Sequence, residues 1–172
     1  MANETYSKKL ITIKSQIDET ITTVRRMTTT LRPLILDDFG LYAALNWLTT
    51  GFEQQTGTQI EVVLPDDKDE PTRGSNISNV LFRIAQESLN NITKHANANH
   101  VTLVLEKHTD RWRIQITDDG NGFDALTHHQ QGFGLSAMRE RTEIMEGQFK
   151  IQSIAGKGTR VSAEIPLEAA IS

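Results

Sequence analysis

The sequence predicts a two-layer α/β sandwich, in which a mixed β-sheet carries helices on one face and is preceded by a long N-terminal helix. Two observations predict this fold. Five short segments have the alternating apolar and polar pattern of strands, and helical patterns lie between them. The 172 residues are enough for one domain with its own core plus one additional element.

The composition is that of an ordinary globular protein, with 37% hydrophobic and 23% charged residues. The chain has no cysteine, which excludes disulfides and thiolate metal sites. The net charge of −4 argues against a nucleic-acid-binding surface. No apolar run approaches the length of a membrane span and no signal peptide is apparent, so we expect a soluble domain.

The first helical pattern runs from about residue 5 to residue 32. Its apolar residues recur in alternating steps of three and four, with Thr20 as a polar interruption: Leu10, Ile13, Ile17, Val24, Met27 and Leu31. This spacing is typical of a seam that packs against another helix, and a stripe packed on the same domain is the alternative. Pro33 ends the pattern, because the residue before a proline resists helical geometry.

A second helix is expected from about Phe39 to Gln55, with its stop near Gly57 and an inward face of Leu41, Ala44, Leu45, Leu48 and Phe52. A short strand at residues 60–64 and an acidic loop at residues 65–74 follow. The third helix begins near Ser75 or Asn76, since either side chain can cap it.

This third helix carries the most informative pattern in the chain. Its apolar stripe consists of Leu81, Ile84, Ala85, Ser88, Leu89 and Ile92. Glu87 and Asn91 lie four residues apart and project from one face, with Lys94 one turn further on. A carboxylate, an amide oxygen and an ammonium in one row suit a magnesium-bound polyphosphate. A solvated polar face is the alternative.

Strands at residues 101–105 and 112–117 lead to the first glycine cluster, Asp118-Asp119-Gly120-Asn121-Gly122. The carboxylate of Asp118 can accept a hydrogen bond from an exocyclic amine such as that of adenine. The glycines allow the backbone to turn sharply and to approach another group closely. A simple hairpin turn is the alternative.

The second glycine cluster, Gly132-Phe133-Gly134-Leu135, opens another helix, which is predicted to stop near Gly147. One face of that helix is predicted to contain Leu135, Met138, Arg141, Thr142 and Met145. Glycines before a helix free its first N–H groups to bind an anion. The polar segment of residues 124–131 is interpreted as a mobile loop that closes over a nucleotide.

The last glycine cluster, Gly156-Lys157-Gly158-Thr159, joins two strands at residues 149–154 and 160–165. A hairpin with a glycine-bearing loop is the simplest interpretation. In the functional interpretation, Thr159 also hydrogen-bonds near a base, either directly or through water.

In this order and at these separations, the blocks resemble the ATP-binding domain of sensor histidine kinases. That Bergerat-type domain belongs to the GHKL superfamily, shared with gyrase-type topoisomerases, Hsp90 and MutL. Residues 87–96 resemble its N box, residues 118–122 and 132–135 its two glycine boxes, and residues 156–159 its final glycine-threonine motif. Three further segments resemble the subfamily that signals to NarL-type response regulators: Leu31-Arg32-Pro33, residues 36–41, and Met138-Arg139-Glu140-Arg141.

The resemblance implies that the domain binds Mg²⁺ and ATP. Asn91 would be a magnesium ligand, and Glu87 would be the general base or the organiser of magnesium-bound water. The nucleotide-contacting residues would be Lys94 and His95 near the phosphates, Asp118, Gly120, Gly122 and Thr159 around the adenine, and Gly132, Gly134 and Leu135 on phosphate oxygens.

The resemblance also implies a division of the chain. Residues 1–33 would be the second helix of a dimerisation and phosphotransfer hairpin, and residues 34–172 the catalytic domain. The family's phosphate-accepting histidine precedes the Leu-Arg-Pro segment, whereas the first histidine here is His95. We therefore expect transfer of the γ-phosphate to a histidine on a helix absent from this chain, and no autophosphorylation by this chain alone.

A NarL-type response regulator would then receive the phosphoryl group. By the same resemblance, the domain would be cytoplasmic and would belong to a homodimeric parent, whose placement in the cell membrane stays open. One alternative is a nucleotide-binding pseudokinase, which the intact Glu87, Asn91 and Asp118 disfavour. Others are a topoisomerase-like or chaperone-like ATPase, which needs a transducer domain, and a serine kinase acting on an anti-sigma antagonist, which the Leu-Arg-Pro segment fits poorly.

Overall fold

The computed structural model describes residues 34–123 and 133–167, apart from the side chain of Asp67. The helices are α1 (Leu34–Phe39), α2 (Leu41–Thr56), α3 (Asn76–Asn91) and α4 (Phe133–Ile144). The strands are β1 (Gln59–Val63), β2 (His100–Lys107), β3 (Arg111–Asp118), β4 (Gln148–Ser153) and β5 (Thr159–Pro166). The predicted N-terminal helix, the loop of residues 124–131 and Gly132 lie outside the described residues.

The five strands form one mixed sheet in the order β1-β2-β3-β5-β4. β1 pairs with β2 in parallel, and the other three pairings are antiparallel. The predicted strands are all present, with bounds that differ from the expected ones by one or two residues. The predicted mixed α/β fold is therefore confirmed.

The two faces of the sheet differ in polarity because side chains alternate along each strand. On β3, Trp112, Ile114 and Ile116 are at most 2% exposed, while the residues between them are polar and partly exposed. Helix α3 packs against β3 and β5, and α4 packs against α3 and β4. Burial of each large apolar side chain contributes about 1.5–3 kcal/mol, so this single core holds the two layers together.

Helix α3 crosses the middle of that core. All six residues of its predicted apolar stripe are buried, which confirms the prediction. Its N-cap is Ser75, whose Oγ accepts a hydrogen bond of 3.2 Å from the Ser78 N–H. Beyond Asn91 the helix continues into one π turn, Ile92–Ala96. The N box therefore lies on one continuous helical element.

The predicted second helix is present as α2 with its stop at Gly57, but it begins at Leu41 rather than near Phe39. Gly40 has a φ of 89°, which is not helical, so it separates helix α1 from helix α2. The side chain that caps α2 comes from a distant loop, since the Glu70 carboxylate accepts a hydrogen bond of 2.7 Å from the Tyr42 N–H. This long-range cap left no local signal in the sequence.

The end and the buried face of α4 differ in part from the prediction. Met138 and Thr142 are buried as expected, but Arg141 is exposed. The left-handed residue after the helix is Glu146, with a φ of 54°, rather than Gly147. A side chain at Gly147 would instead collide with the Glu164 carbonyl of β5. Gly147 therefore serves close packing against the sheet.

Within residues 34–123 and 133–167, no helix has the length and apolar character that crossing a bilayer requires.

Candidate nucleotide-binding site

Three polar residues form a row across the end of the sheet. Asp118 pairs with Thr159, and Thr159 pairs with Ser153, in the registers of β3 with β5 and of β4 with β5. Each residue continues the helix-facing alternation of its strand, which is apolar up to that point. The row therefore places oxygen atoms where the apolar core ends. We call it the polar row.

Asp118 is the most buried member of the polar row, at 7% exposure. Its carboxylate accepts a hydrogen bond of 2.9 Å from the Gly120 N–H and another from the Thr159 N–H. Burial raises the pKa of Asp118, the two N–H donors oppose that effect, and nearby Asp119 adds to it. A fixed, dehydrated acceptor of this kind suits recognition of an amine.

The first glycine box packs directly against the end of the N box. A side chain at Gly120 would collide with the Ala96 carbonyl, which accepts a hydrogen bond of 2.6 Å from the Asn121 N–H. The Asn121 carbonyl in turn accepts a hydrogen bond of 2.6 Å from the Gly156 N–H in the final glycine cluster. Three segments far apart in sequence are thus tied together by backbone groups.

Two further glycines complete this packing. A side chain at Gly122 would collide with the Ile154 carbonyl, and one at Gly158 with the Asp118 carbonyl. The hairpin alternative for residues 118–122 is wrong, since β3 leads to α4 and pairs with β2 and β5. The hairpin interpretation of residues 156–159 is confirmed by the antiparallel pairing of β4 and β5.

Sequence reasoning missed two residues of this end of the site. Asp119 accepts hydrogen bonds from the Asn99 and His100 N–H groups at 2.8 and 2.9 Å, and its Oδ2 lies 3.2 Å from His100 Nδ1. These bonds, with the His100 N–H first, lower the pKa of Asp119. Ser153 is the other, and the alternation Phe149, Ile151, Ser153 was the signal that could have found it.

The second cluster of predicted residues lies on α3, on the N-terminal side of Ala96. A side chain at Gly134 would overlap Glu87 Oε1 and lie 2.8 Å from Glu87 Cδ, so the start of α4 rests against this carboxylate. Asn91 is partly buried one turn further along α3. Within the described part of the chain, neither Glu87 nor Asn91 has a side-chain hydrogen bond or ion pair.

The remaining predicted residues lie on the π turn and at the start of α4. Lys94 and His95 are exposed on the π turn. Leu135 lies in the first turn of α4, where backbone N–H groups have no partner within the helix. From Glu87 to Ala96 the helical rise gives about 13 Å, so the two clusters lie at opposite ends of an elongated site.

The oxygen atoms of Glu87 and Asn91 are of the type that Mg²⁺ prefers. Among the described residues, no group of three or more His, Cys, Asp or Glu side chains forms a metal site. A cation held here would therefore need additional ligands such as water and phosphate oxygens, which is how Mg²⁺ usually binds beside nucleotides.

The chain is similar in sequence to known proteins. Residues 76–169 match the family described as histidine kinase-, DNA gyrase B- and HSP90-like ATPase. The chain is 31% identical over 160 residues to the signal transduction histidine-protein kinase/phosphatase DegS of Brevibacillus brevis, covering 93% of this chain and 41% of DegS. It is 41% identical over 143 residues to the kinase/phosphatase UhpB of Salmonella typhimurium, covering 83% of this chain and 28% of UhpB.

Solved structures show the same fold. The histidine kinase domain of the Erythrobacter litoralis EL346 blue-light activated kinase matches with a TM-score of 0.62 and 20% identity, over 74% of this chain and 61% of that one. The Acinetobacter baumannii histidine kinase AdeS matches with a TM-score of 0.61 and 13% identity, over 92% of this chain and 83% of that one.

The chain spans less than half the length of DegS and of UhpB. The predicted resemblance to the catalytic part of NarL-type sensor histidine kinases is confirmed. The family match covers more than half of the chain and includes the N box, both glycine boxes and the final glycine-threonine motif. The chain therefore belongs to the family of histidine kinase-, DNA gyrase B- and HSP90-like ATPases, whose members bind ATP.

Proposed function

We propose that this domain binds Mg-ATP and transfers the γ-phosphate to a histidine on a dimerisation helix, for onward transfer to a NarL-type response regulator. The observation that carries the proposal is the pair of clusters along α3. One presents the buried acceptor Asp118, and the other joins the Glu87 carboxylate to Gly134 at the start of α4. An elongated site with these ends fits adenine at one end and a triphosphate at the other.

The adenine end acts through the polar row. Asp118 accepts a hydrogen bond from the exocyclic amine of adenine, and Thr159 supports the base directly or through water. Gly120 and Gly122 have no side chain, so the loop stays close to Ala96 and Ile154 and leaves the base edge accessible. Because Asp118 is held by two backbone N–H groups, little ordering is needed when the base binds.

The phosphate end acts through α3 and the start of α4. The N–H group of Leu135, together with Gly132 and Gly134, binds phosphate oxygens, and the positive end of the α4 dipole adds to this attraction. Lys94 and His95 are exposed and approach the phosphates from the π turn.

Asn91 supplies an amide oxygen to hold Mg²⁺, since its side chain has no partner among the described residues. Bound Mg²⁺ supplies neutralisation of phosphate charge, on which phosphoryl transfer depends.

Glu87 is proposed as the general base. Its partly buried carboxylate lies against Gly134 and has no hydrogen bond within the described residues. It is therefore available to accept the proton that an attacking imidazole releases, which is the task of a general base in such a reaction. The alternative role predicted from the sequence, organising magnesium-bound water, uses the same carboxylate oxygens.

The partners follow from the same proposal. They are ATP, the phosphoacceptor helix of the same or a paired kinase subunit, and a NarL-type response regulator, within a homodimeric parent. No role with nucleic acid is proposed, since the net charge is −4. DegS and UhpB are both named histidine-protein kinase/phosphatase, which supports a phosphotransfer role for this chain.

The binding step is tested by calorimetric titration of the chain with a non-hydrolysable ATP analogue, with and without Mg²⁺. We expect saturable binding by the unsubstituted chain, and loss of binding by Asp118→Ala both with and without Mg²⁺. Asn91→Ala should lose only the part of the affinity that Mg²⁺ adds. The matched control is Asn46→Ala, because Asn46 is exposed on α2 away from the site. Absence of saturable binding by the unsubstituted chain would refute the proposal.

The transfer step is tested with γ-labelled ATP and a fragment that carries a phosphoacceptor helix of a related kinase. Label should appear on that fragment and not on this chain, and Glu87→Gln should abolish the transfer while leaving nucleotide binding within about threefold. Stable label on this chain alone would contradict the proposed acceptor. Binding without transfer would favour the pseudokinase alternative.

A further inference from the structure

Ser153 is a hydrogen-bonding hub beside the adenine end of the site, and it is not among the residues proposed to contact the nucleotide. Its Oγ accepts a hydrogen bond of 2.8 Å from the Phe123 N–H. It lies 3.3 Å from the Gly158 carbonyl oxygen, to which it donates, and 2.9 Å from Thr159 Oγ1. Three partners therefore share one hydroxyl group, which has a single proton and two lone pairs.

The direction of each hydrogen bond follows from what each partner can do. The Phe123 N–H can only donate, so it takes one lone pair of Ser153. The Gly158 carbonyl can only accept, so it takes the single proton of Ser153. The Thr159 hydroxyl must then donate its own proton to the second lone pair of Ser153. All three contacts are satisfied together only with this assignment.

The consequence falls on Thr159. With its proton engaged by Ser153, Thr159 Oγ1 presents only lone pairs to a ligand. Its neighbour in the polar row, Asp118, also presents only acceptors when ionised. The edge of the base site then offers two adjacent acceptors and no side-chain donor from these two residues. Such a surface favours a purine with an amine at position 6 and disfavours one with a carbonyl there.

We propose that Ser153 is a specificity-determining positioning residue, which fixes the proton of Thr159 so that the site selects 6-amino over 6-oxo purine nucleotides. This inference rests on the proposed function, since it requires a purine nucleotide at the polar row. Ser153 acts through Thr159, and no contact of Ser153 with the ligand is required. Ser153 also connects the base site to Phe123, the residue that directly follows the first glycine box.

The test compares three triphosphates by calorimetry: ATP, inosine triphosphate with a 6-oxo group, and purine riboside triphosphate with neither group. In Ser153→Ala the Thr159 proton is released and can be donated to a 6-oxo group. The preference for ATP over inosine triphosphate should therefore fall about five- to tenfold, the equivalent of one hydrogen bond. The affinity for purine riboside triphosphate should change by less than about twofold.

Three variants separate this role from a merely structural one. Ser153→Thr keeps a hydroxyl and should keep the preference. Thr159→Val should reduce the preference by itself, and adding Ser153→Ala to it should cause no further change. Ser162→Ala, on the opposite face of β5, is the matched control and should behave as the parent.

An equal loss of affinity for all three nucleotides in Ser153→Ala would overturn the inference, because loosening of the loop would then explain the loss. An unchanged preference in that variant would overturn it as well, while leaving the proposed ATP binding intact. If the parent binds none of the three nucleotides, both the inference and the proposed function are wrong.

Discussion

Replacing Gly120 by alanine tests whether the first glycine box depends on close backbone packing. The new Cβ would overlap the Ala96 carbonyl oxygen and lie 2.7 Å from Ala96 Cβ and 2.8 Å from its carbonyl carbon. The atoms that must move belong mainly to the backbone, so no side-chain rotation relieves the overlap. The displaced carbonyl also accepts the 2.6 Å hydrogen bond from the Asn121 N–H.

The size of the effect follows from these two contributions. Overpacking of a close contact costs about 1–3 kcal/mol. Loss of the Asn121 hydrogen bond adds about 1 kcal/mol. We therefore expect the free energy of unfolding to fall by about 2–4 kcal/mol. The affinity for a non-hydrolysable ATP analogue should fall at least tenfold, the equivalent of about 1.4 kcal/mol, since the Gly120 N–H also holds the Asp118 carboxylate.

The assay is equilibrium denaturation followed by calorimetric titration, with Gly51→Ala as the matched control. Gly51 lies inside α2, and among the described residues no atom beyond its chain neighbours and the backbone of its own helix lies within 4 Å of the point that an alanine Cβ would occupy there. Alanine at this position should raise stability by about 0.5–1 kcal/mol, because glycine is a poor helix former. If Gly120→Ala keeps its stability within about 0.5 kcal/mol and its affinity within twofold, the close-packing account of the glycine box is wrong.

Three further predictions concern charged side chains. Because burial raises the pKa of Asp118, its contribution to stability falls as pH rises through that pKa. Denaturation of Asp118→Asn at neutral pH should show equal or higher stability, while calorimetry shows about 10- to 100-fold weaker binding of the ATP analogue. The hydrogen bonds that lower the pKa of Asp119 contribute stability above the ordinary carboxyl range, and this contribution is lost as pH falls through the lowered pKa. Asp119→Ala should therefore be less stable than the parent at neutral pH and should approach it in acid, as a denaturation series across pH would show. Glu70→Ala removes the cap on the Tyr42 N–H and should lower the free energy of unfolding by about 0.5–2 kcal/mol, with ATP affinity unchanged.

Each of these predictions has an outcome that contradicts it. A loss of stability in Asp118→Asn at neutral pH would show that burial of the charge carries no cost. A constant difference between Asp119→Ala and the parent across pH would assign the effect to packing. Unchanged stability in Glu70→Ala would mean that water replaces the cap.

Most of the fold could be predicted because its signals are local. The apolar stripe of α3 and the alternation along each strand depend only on the period of each element. The long-range features had no such signal. The placement of β5 between β3 and β4 puts Asp118 beside Thr159, and this pairing depends on strand order rather than on neighbouring residues. The Glu70 cap on α2 is also long-range.

The glycines show the same limit within the site. The residue type alone does not distinguish Gly120 from Gly51. Of these two glycines, Gly120 is the one with a backbone carbonyl at the position that a side chain would occupy. Gly147 was expected to end α4, but the residue with the left-handed conformation is Glu146. Gly147 instead packs closely against the Glu164 carbonyl of β5. Motif spacing predicted which segments meet, whereas the atoms that make them meet became visible only in three dimensions.

The most direct test of the central claim is backbone chemical-shift mapping of the chain during titration with a non-hydrolysable Mg-ATP analogue. The two-cluster site predicts saturable shifts with one affinity in residues 118–122, 158–159 and 133–135, with little change along β1. Shifts confined to other surfaces, or no saturable shift at millimolar analogue, would contradict the claim that these segments form one nucleotide site.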